Sequence, residues 1–363
     1  MEHAPRAVTR TRSSRGTDLA GLAASRRSPG ARPAMIRAAA GVRRVVGSAM
    51  RATTHASPRS PARHDHKGSQ PGNNVYPETA MPDFAANLAN MFTELPFVER
   101  FAAAARCGFR GVEFASLEAV PETEMARHLR GCGLTLVAFN LPTAGSERGE
   151  CGIACDPERT EEFREGVRRA IDYAAAVGCR FLNCIAGPLP TGHSDAAASQ
   201  TLVENIRFAA RRAMAASVTI LVEPVDTDTL PRSCLHSTAQ AVALLDAVKE
   251  RNVALLYDVF QMHAMGEPAS SVIARHLARI GHIQIAGCPG RAEPSGGEID
   301  YRHLLEFIDR IGYRGWIGCE YLPRAGTEAG LGWMAHHKTS RSDCRWGFPV
   351  QALRPSVPVA ALS

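Results

Sequence analysis

No stretch of the 363-residue chain approaches the roughly 18 uninterrupted apolar residues of a membrane-crossing helix, and no CxxC pair occurs among its ten cysteines. The first absence argues against an integral membrane protein. The second leaves thiols scattered through apolar segments, where they read as reduced, mostly buried groups of a cytoplasmic protein. Acidic residues are nearly missing from the first 80 positions, which hold 14 Lys and Arg against 4 Asp and Glu. That segment shows neither a 2-residue nor a 3.6-residue apolar period. Residues 1–80 are therefore expected to be a disordered basic extension. It reads either as an organellar leader or, the favoured reading, as translated upstream sequence, because Met81 opens an ordered pattern (MPDFAANLANMF) abruptly. Without the extension's balance of +10, the net charge of +6 becomes −4 for the rest of the chain. A mildly acidic body gives nucleic-acid binding no support. Residues 335–363 lack periodicity and are expected to form a peripheral tail, which leaves 81–334 as the folded domain.

Within that domain, short apolar runs alternate with amphipathic stretches. The runs are Phe84–Leu88, Gly111–Phe114, Leu134–Asn140, Phe181–Ala186, Thr219–Val225, Val253–Phe260, His282–Ala286 and Trp316–Tyr321. Between them, Val98–Cys107, Thr160–Val177, Leu202–Ala215, Thr238–Val248 and Tyr301–Ile311 carry helical phasing; Phe163, Val167, Ala170, Ile171 and Ala174 share one face. Asp156-Pro157 and Ser237-Thr238 stand where helices start. Eight β-then-α units over about 255 residues match a (β/α)8 TIM barrel. The rival α/β architecture, a doubly wound open sheet, usually has a glycine-rich turn after its first strand. Asn87–Glu94 contains no glycine.

A TIM barrel works at the carboxyl ends of its strands. There the chain places Glu223 (LVEP), Asp258 (LLYD), Gln284 (HIQIAG) and Glu320 (IGCEY). Carboxylates in otherwise apolar strands are costly unless compensated. One acid alone is readily explained by an arginine partner or a helix cap; three at the same end of nearby strands point to a shared role. Three carboxylates and an amide offer hard oxygen donors only, a set suited to Mg²⁺ or Mn²⁺ rather than zinc. Glu113 (GVEF) ends strand two in the same way, either behind those donors or as an ion-pair partner. Asn140 and Asn183 read as substrate contacts or satisfied core amides. His263 and Gln261 follow Asp258 on a loop that would rim the site. Arg291 and Glu293 lie after strand seven, where a small anionic substrate is held. His336-His337 with Cys344 fits no zinc spacing.

These residues are recognisable together. The body resembles the hydroxypyruvate isomerase family, a branch of the xylose-isomerase-like barrels. The matching stretches are FAANL, CGFRGVEF, GECGIACDPERTEEFREGV, TLVENIRFAA, LVEP, the YD of YDVF, GHIQIAG, GEIDY and GWIGCEYLPRAGTEAGLGWM. The resemblance implies an isomerase that interconverts hydroxypyruvate and tartronate semialdehyde. It implies metal ligands at Glu223, Asp258, Gln284 and Glu320, an acid/base pair in Glu223 and Glu320, and a small keto or hydroxy acid as the partner. No nucleic acid or membrane partner is expected; an oligomer is open. Three departures lie around the substrate. Gln261 and His263 exchange the family's usual His and Gln, Ala115-Ser116-Leu117 replaces Phe-Pro-Tyr, and Asp226 stands where the family has Asn. The alternatives are a 2-oxo-tetronate isomerase, a ketose 3-epimerase (whose usual strand-seven ligand is His rather than Gln284), a repair endonuclease needing several histidines, and a non-catalytic sugar-acid binder.

Overall fold

Among the described residues, eight strands and eight helices follow in the order β1 (Asp83–Asn87), α1 (Phe97–Arg106), β2 (Gly111–Phe114), α2 (Glu122–Cys132), β3 (Thr135–Asn140), α3 (Thr160–Val177), β4 (Phe181–Ile185), α4 (Asp195–Ala213), β5 (Thr219–Glu223), α5 (Thr238–Val248), β6 (Val253–Asp258), α6 (Val259–Ala264), α7 (Ala269–His276), β7 (Ile280–Ile285), α8 (Tyr301–Arg310) and β8 (Trp316–Cys319). The computed structural model describes residues 83–115, 120–141 and 152–337. The expected extension at 1–80, Ser116-Leu117, Cys344 and the side chains of His336 and His337 lie outside the described residues. The strands close into a barrel in sequence order, every neighbour parallel, with β8 pairing back onto β1. This is the expected TIM barrel, with helices between its strands.

The strands are apolar on both faces because helices cover one side and the barrel interior the other. Asp156 and Ser237 cap as expected: their side chains accept from the amides of Glu158 (3.0 Å) and Gln240 (3.3 Å). Two local differences from the sequence expectation have clear causes. Strand β6 stops at Asp258 rather than Phe260, because the Asp258 carboxylate accepts from the Phe260 and Gln261 amides (2.8 and 3.3 Å) and starts α6 there. Helix α4 begins at Asp195, seven residues before the apolar stripe, because Ser194 caps the Ala197 amide at 3.2 Å. At the far end, Trp333 packs edge-on against Phe84 (centroids 5.3 Å apart) and donates to the Tyr321 hydroxyl, so the 3₁₀ segment Glu328–His337 closes onto the barrel.

Candidate active site

Each strand carries a polar side chain at or near its carboxyl end: Asn87, Glu113, Asn140, Asn183, Glu223, Asp258, Gln284 and, one residue past β8, Glu320. The barrel register brings them level, pairing Asn87 with Glu113, Asn140 with Asn183, and Asp258 with Gln284. Seven of the eight line a cavity of about 280 Å³, walled by Phe114, Phe139, Ile185, Val225 and Leu256. Asp258 contributes no surface to it, but Arg291, which does, is bonded to the Asp258 carboxylate.

Carboxylate oxygens of Glu223, Asp258 and Glu320 lie within 4.8 Å of one another. They share one guanidinium: Arg291 Nη2 donates to Asp258 Oδ2 at 2.9 Å and to Glu320 Oε2 at 2.7 Å, and the guanidinium stacks over Phe260. With all three acids ionised, the one guanidinium would offset only one of their charges. Burial, then the neighbouring Glu320 and Asp258 carboxylates, raise the Glu223 carboxyl well above the usual range, although Asn183 and Arg291 oppose the shift. Burial likewise pushes Glu320 up to about 7, against the pull of Arg291.

Behind the cluster, amides and a further acid fix the orientation of these groups. Asn183 Nδ2 donates both to Glu223 Oε2 and, at 3.0 Å, to Asn140 Oδ1. Glu113 accepts from Gln284 Nε2 (2.9 Å) and Asn87 Nδ2 (3.3 Å), and His282 Nε2 lies 2.7 Å from its other oxygen. It therefore holds Gln284 by the amide nitrogen, and the Gln284 Oε1 acceptor is buried without a hydrogen-bond partner. Gly318 makes this possible, since a Cβ there would stand 2.4 Å from a Glu113 oxygen.

The barrel model for xylose isomerase-like TIM barrels matches residues 101–337. Hydroxypyruvate isomerase of Escherichia coli is 43% identical over 251 residues, spanning 69% of this chain and 97% of that protein. The chain belongs to this family. It is an isomerase, an enzyme of the aldose–ketose type. The 2-oxo-tetronate isomerase of Cupriavidus necator is 41% identical over 254 residues, 70% of this chain and 98% of that one. Among solved structures, one described as an AP endonuclease of family 2 from Brucella melitensis aligns with a TM-score of 0.69 at 40% identity, covering 71% and 99%. A 3-keto-D-glucoside 4-epimerase from Escherichia coli (TM-score 0.60, 18% identity, 70% and 99%) shares the fold.

Of the residues singled out in the sequence, Asn140, Asn183, Glu223, Gln284, Arg291 and Glu320 line one cavity, with Asp258 just behind Arg291. His263 is placed elsewhere: it faces Glu298 on the rim and is not among the cavity-lining residues. Its position on α6, two residues beyond buried Gln261, turns it outward. Gln261 takes the inward place, and its side-chain oxygen accepts from the Asp226 amide at 2.9 Å. Two of the chain's departures from the family pattern therefore touch each other. Glu113 holds an amide ligand candidate and pairs with no arginine among the described residues. Asn87 escaped the sequence reading, because an amide ending DFAAN looks like a turn residue.

Proposed function

We propose that this isomerase interconverts hydroxypyruvate and tartronate semialdehyde with a divalent cation, Mg²⁺ or Mn²⁺, held by Glu223, Asp258, Gln284 and Glu320. The observation that carries the reading is the trio of converging carboxylates with a single guanidinium between them. If all three acids ionise, two negative charges remain unbalanced, which is the charge of one divalent ion. The unpartnered Gln284 Oε1 adds a fourth hard oxygen donor. When bound, the cation supplies electrostatic stabilisation for negative charge developing on the substrate's oxygens.

The chain's own groups do the rest. One member of the Glu223–Glu320 pair removes a proton from C3 of hydroxypyruvate, and the other returns a proton to C2, through an enediolate. Asn183 keeps the Glu223 carboxylate turned toward the cavity, and Asn140 holds Asn183. Arg291 is the guanidinium available to the substrate carboxylate. The walls of Phe114, Phe139 and Leu256 exclude water that would protonate or trap the intermediate. A cavity of about 280 Å³ sits at the small end of ligand pockets, roughly 300–1,000 Å³, and favours a short acid over a ketohexose.

The second reading, a 2-oxo-tetronate isomerase, rests on the Cupriavidus necator relative and the same cavity. An endonuclease reading is disfavoured because, among the described residues, no histidine lines the cavity. The test is a coupled isomerase assay of the full chain on hydroxypyruvate, 2-oxo-tetronate and a ketohexose, with and without chelator. Hydroxypyruvate turnover is expected to fall at least 100-fold on chelation and to return with Mg²⁺ or Mn²⁺. Undiminished turnover in chelator refutes the cation, and turnover confined to the four-carbon acid replaces the substrate.

A further inference from the structure

On the rim beside the cavity, three donors of three kinds meet. His263 Nε2, on α6, lies 3.0 Å from Glu298 Oε2, and Cys288 Sγ, just past β7, lies 3.9 Å from the same oxygen. The ligand atoms of all three fall within 4.8 Å of one another. None of the three lines the cavity. Around a single tetrahedral zinc, with Zn–N and Zn–O near 2.0 Å and Zn–S near 2.3 Å, the N–O and S–O edges come to about 3.3 and 3.5 Å. The observed edges depart from those by about 0.3 and 0.4 Å. A nitrogen, a sulfur and an oxygen donor form a borderline-soft set, unlike the all-oxygen cluster inside the barrel.

The backbone presents these donors in fixed places. The Glu298 amide donates to the Cys288 carbonyl at 2.8 Å, and the Gly287 amide to the Ala292 carbonyl at 2.7 Å, so the β7–α8 connection folds back on itself. Gly297, at φ +98°, permits that approach: a Cβ there would stand 2.1 Å from the Cys288 carbonyl oxygen. Helix α6 is pinned at its start by the Asp258 cap. Glu298 is largely exposed and His263 partly so, which leaves a cation access and a coordination position open to water.

We propose that His263, Cys288 and Glu298 form a zinc-type site for one divalent cation on the rim, separate from the oxygen cluster. An ion there ties α6, which begins at Asp258, to the connection that carries Arg291. The exchange that sends Gln261 inward thus gives the chain an outward imidazole with its own use. This site does not depend on the isomerase reading.

The test uses the full chain in excess Mg²⁺, titrated with Co²⁺. A thiolate-to-cobalt charge-transfer absorption is expected, saturating at one ion per chain and displaced by Zn²⁺. An oxygen-only cluster cannot produce it. Cys288→Ser is expected to abolish the band, His263→Ala to weaken Co²⁺ binding at least tenfold, and Glu223→Gln to leave the band intact. All three donors are at least partly exposed, so these variants are expected to melt as the parent does. Absence of the band, its survival in Cys288→Ser, or unchanged affinity in His263→Ala overturns the site.

Discussion

Glu223→Gln and Glu320→Gln are each expected to lower hydroxypyruvate turnover by roughly 10²–10⁴-fold, the usual worth of a general acid or base. Glutamine keeps the shape and the acceptor that Asn183 needs at Glu223, but it neither takes nor gives up a proton at neutral pH. Loss of turnover through unfolding is distinguishable, because both carboxyls are held above their ordinary values by burial and by repulsion from neighbouring carboxylates, Glu320 and Asp258 for Glu223, Asp258 and Glu113 for Glu320. Removing one charge relieves that repulsion, so each variant is expected to melt no lower than the parent in chelator. The double variant is expected to be no worse than about the poorer single one, since the two groups act as a unit. Steady-state kinetics beside thermal melts check all three statements. A single variant retaining near-parental turnover removes that residue from proton transfer.

The second expected result concerns the coupling of cation, pH and stability. In chelator, the Glu320 carboxyl titrates at about 7 and Glu223 well above its ordinary value, whereas unfolded glutamate titrates near 4.3. The folded state therefore holds more protons than the unfolded one between those limits. Their contribution to stability is fully present below about pH 4.3 and is lost as pH rises through 7. A cation favours the deprotonated carboxylates, so its stabilisation grows over the same interval. At about 100 times its Kd, Mg²⁺ or Mn²⁺ stabilises by ~2.7 kcal/mol, roughly 5–10 °C in Tm for a domain of this size. The Tm increment is expected to be larger at pH 8 than at pH 6, and to shrink in the Glu223→Gln, Glu320→Gln double variant. Melting curves at the two pH values, with and without ion, measure it. An increment that falls as pH rises is incompatible with the cation sitting on these acids.

Strands were readable because each is a short apolar run with a polar residue in or just after its second half, and that same punctuation marked the cluster. Glu223, Asp258, Gln284 and Glu320 are visible as polar intrusions in buried strands. Helices α2 and α7 were not readable: the first buries only Met125 and Leu129, the second only Ile273, too little for an apolar stripe. The boundary at Asp258 was hidden because Val259 and Phe260 continue the apolar run, while the decision lies in a side-chain cap. The partners of Glu113 and Arg291 were hidden for another reason. Residues 171 and 33 positions apart meet only through barrel closure and loop folding, which leave no local signature. His263 shows the converse: position on a rim loop is legible, but which way a short helix turns its side chains is not.

Two facing carboxylates imply that the migrating hydrogen travels as a proton, leaving one carbon to one acid and reaching the next from another. Turnover of hydroxypyruvate by the Mg²⁺- or Mn²⁺-loaded enzyme in D₂O, with the tartronate semialdehyde trapped at once by reduction to glycerate, reads this directly. Deuterium at C2 of the trapped product is expected. Product that carries the original C3 hydrogen at C2, with no deuterium from solvent, would mean a hydride shift and would contradict proton transfer between Glu223 and Glu320.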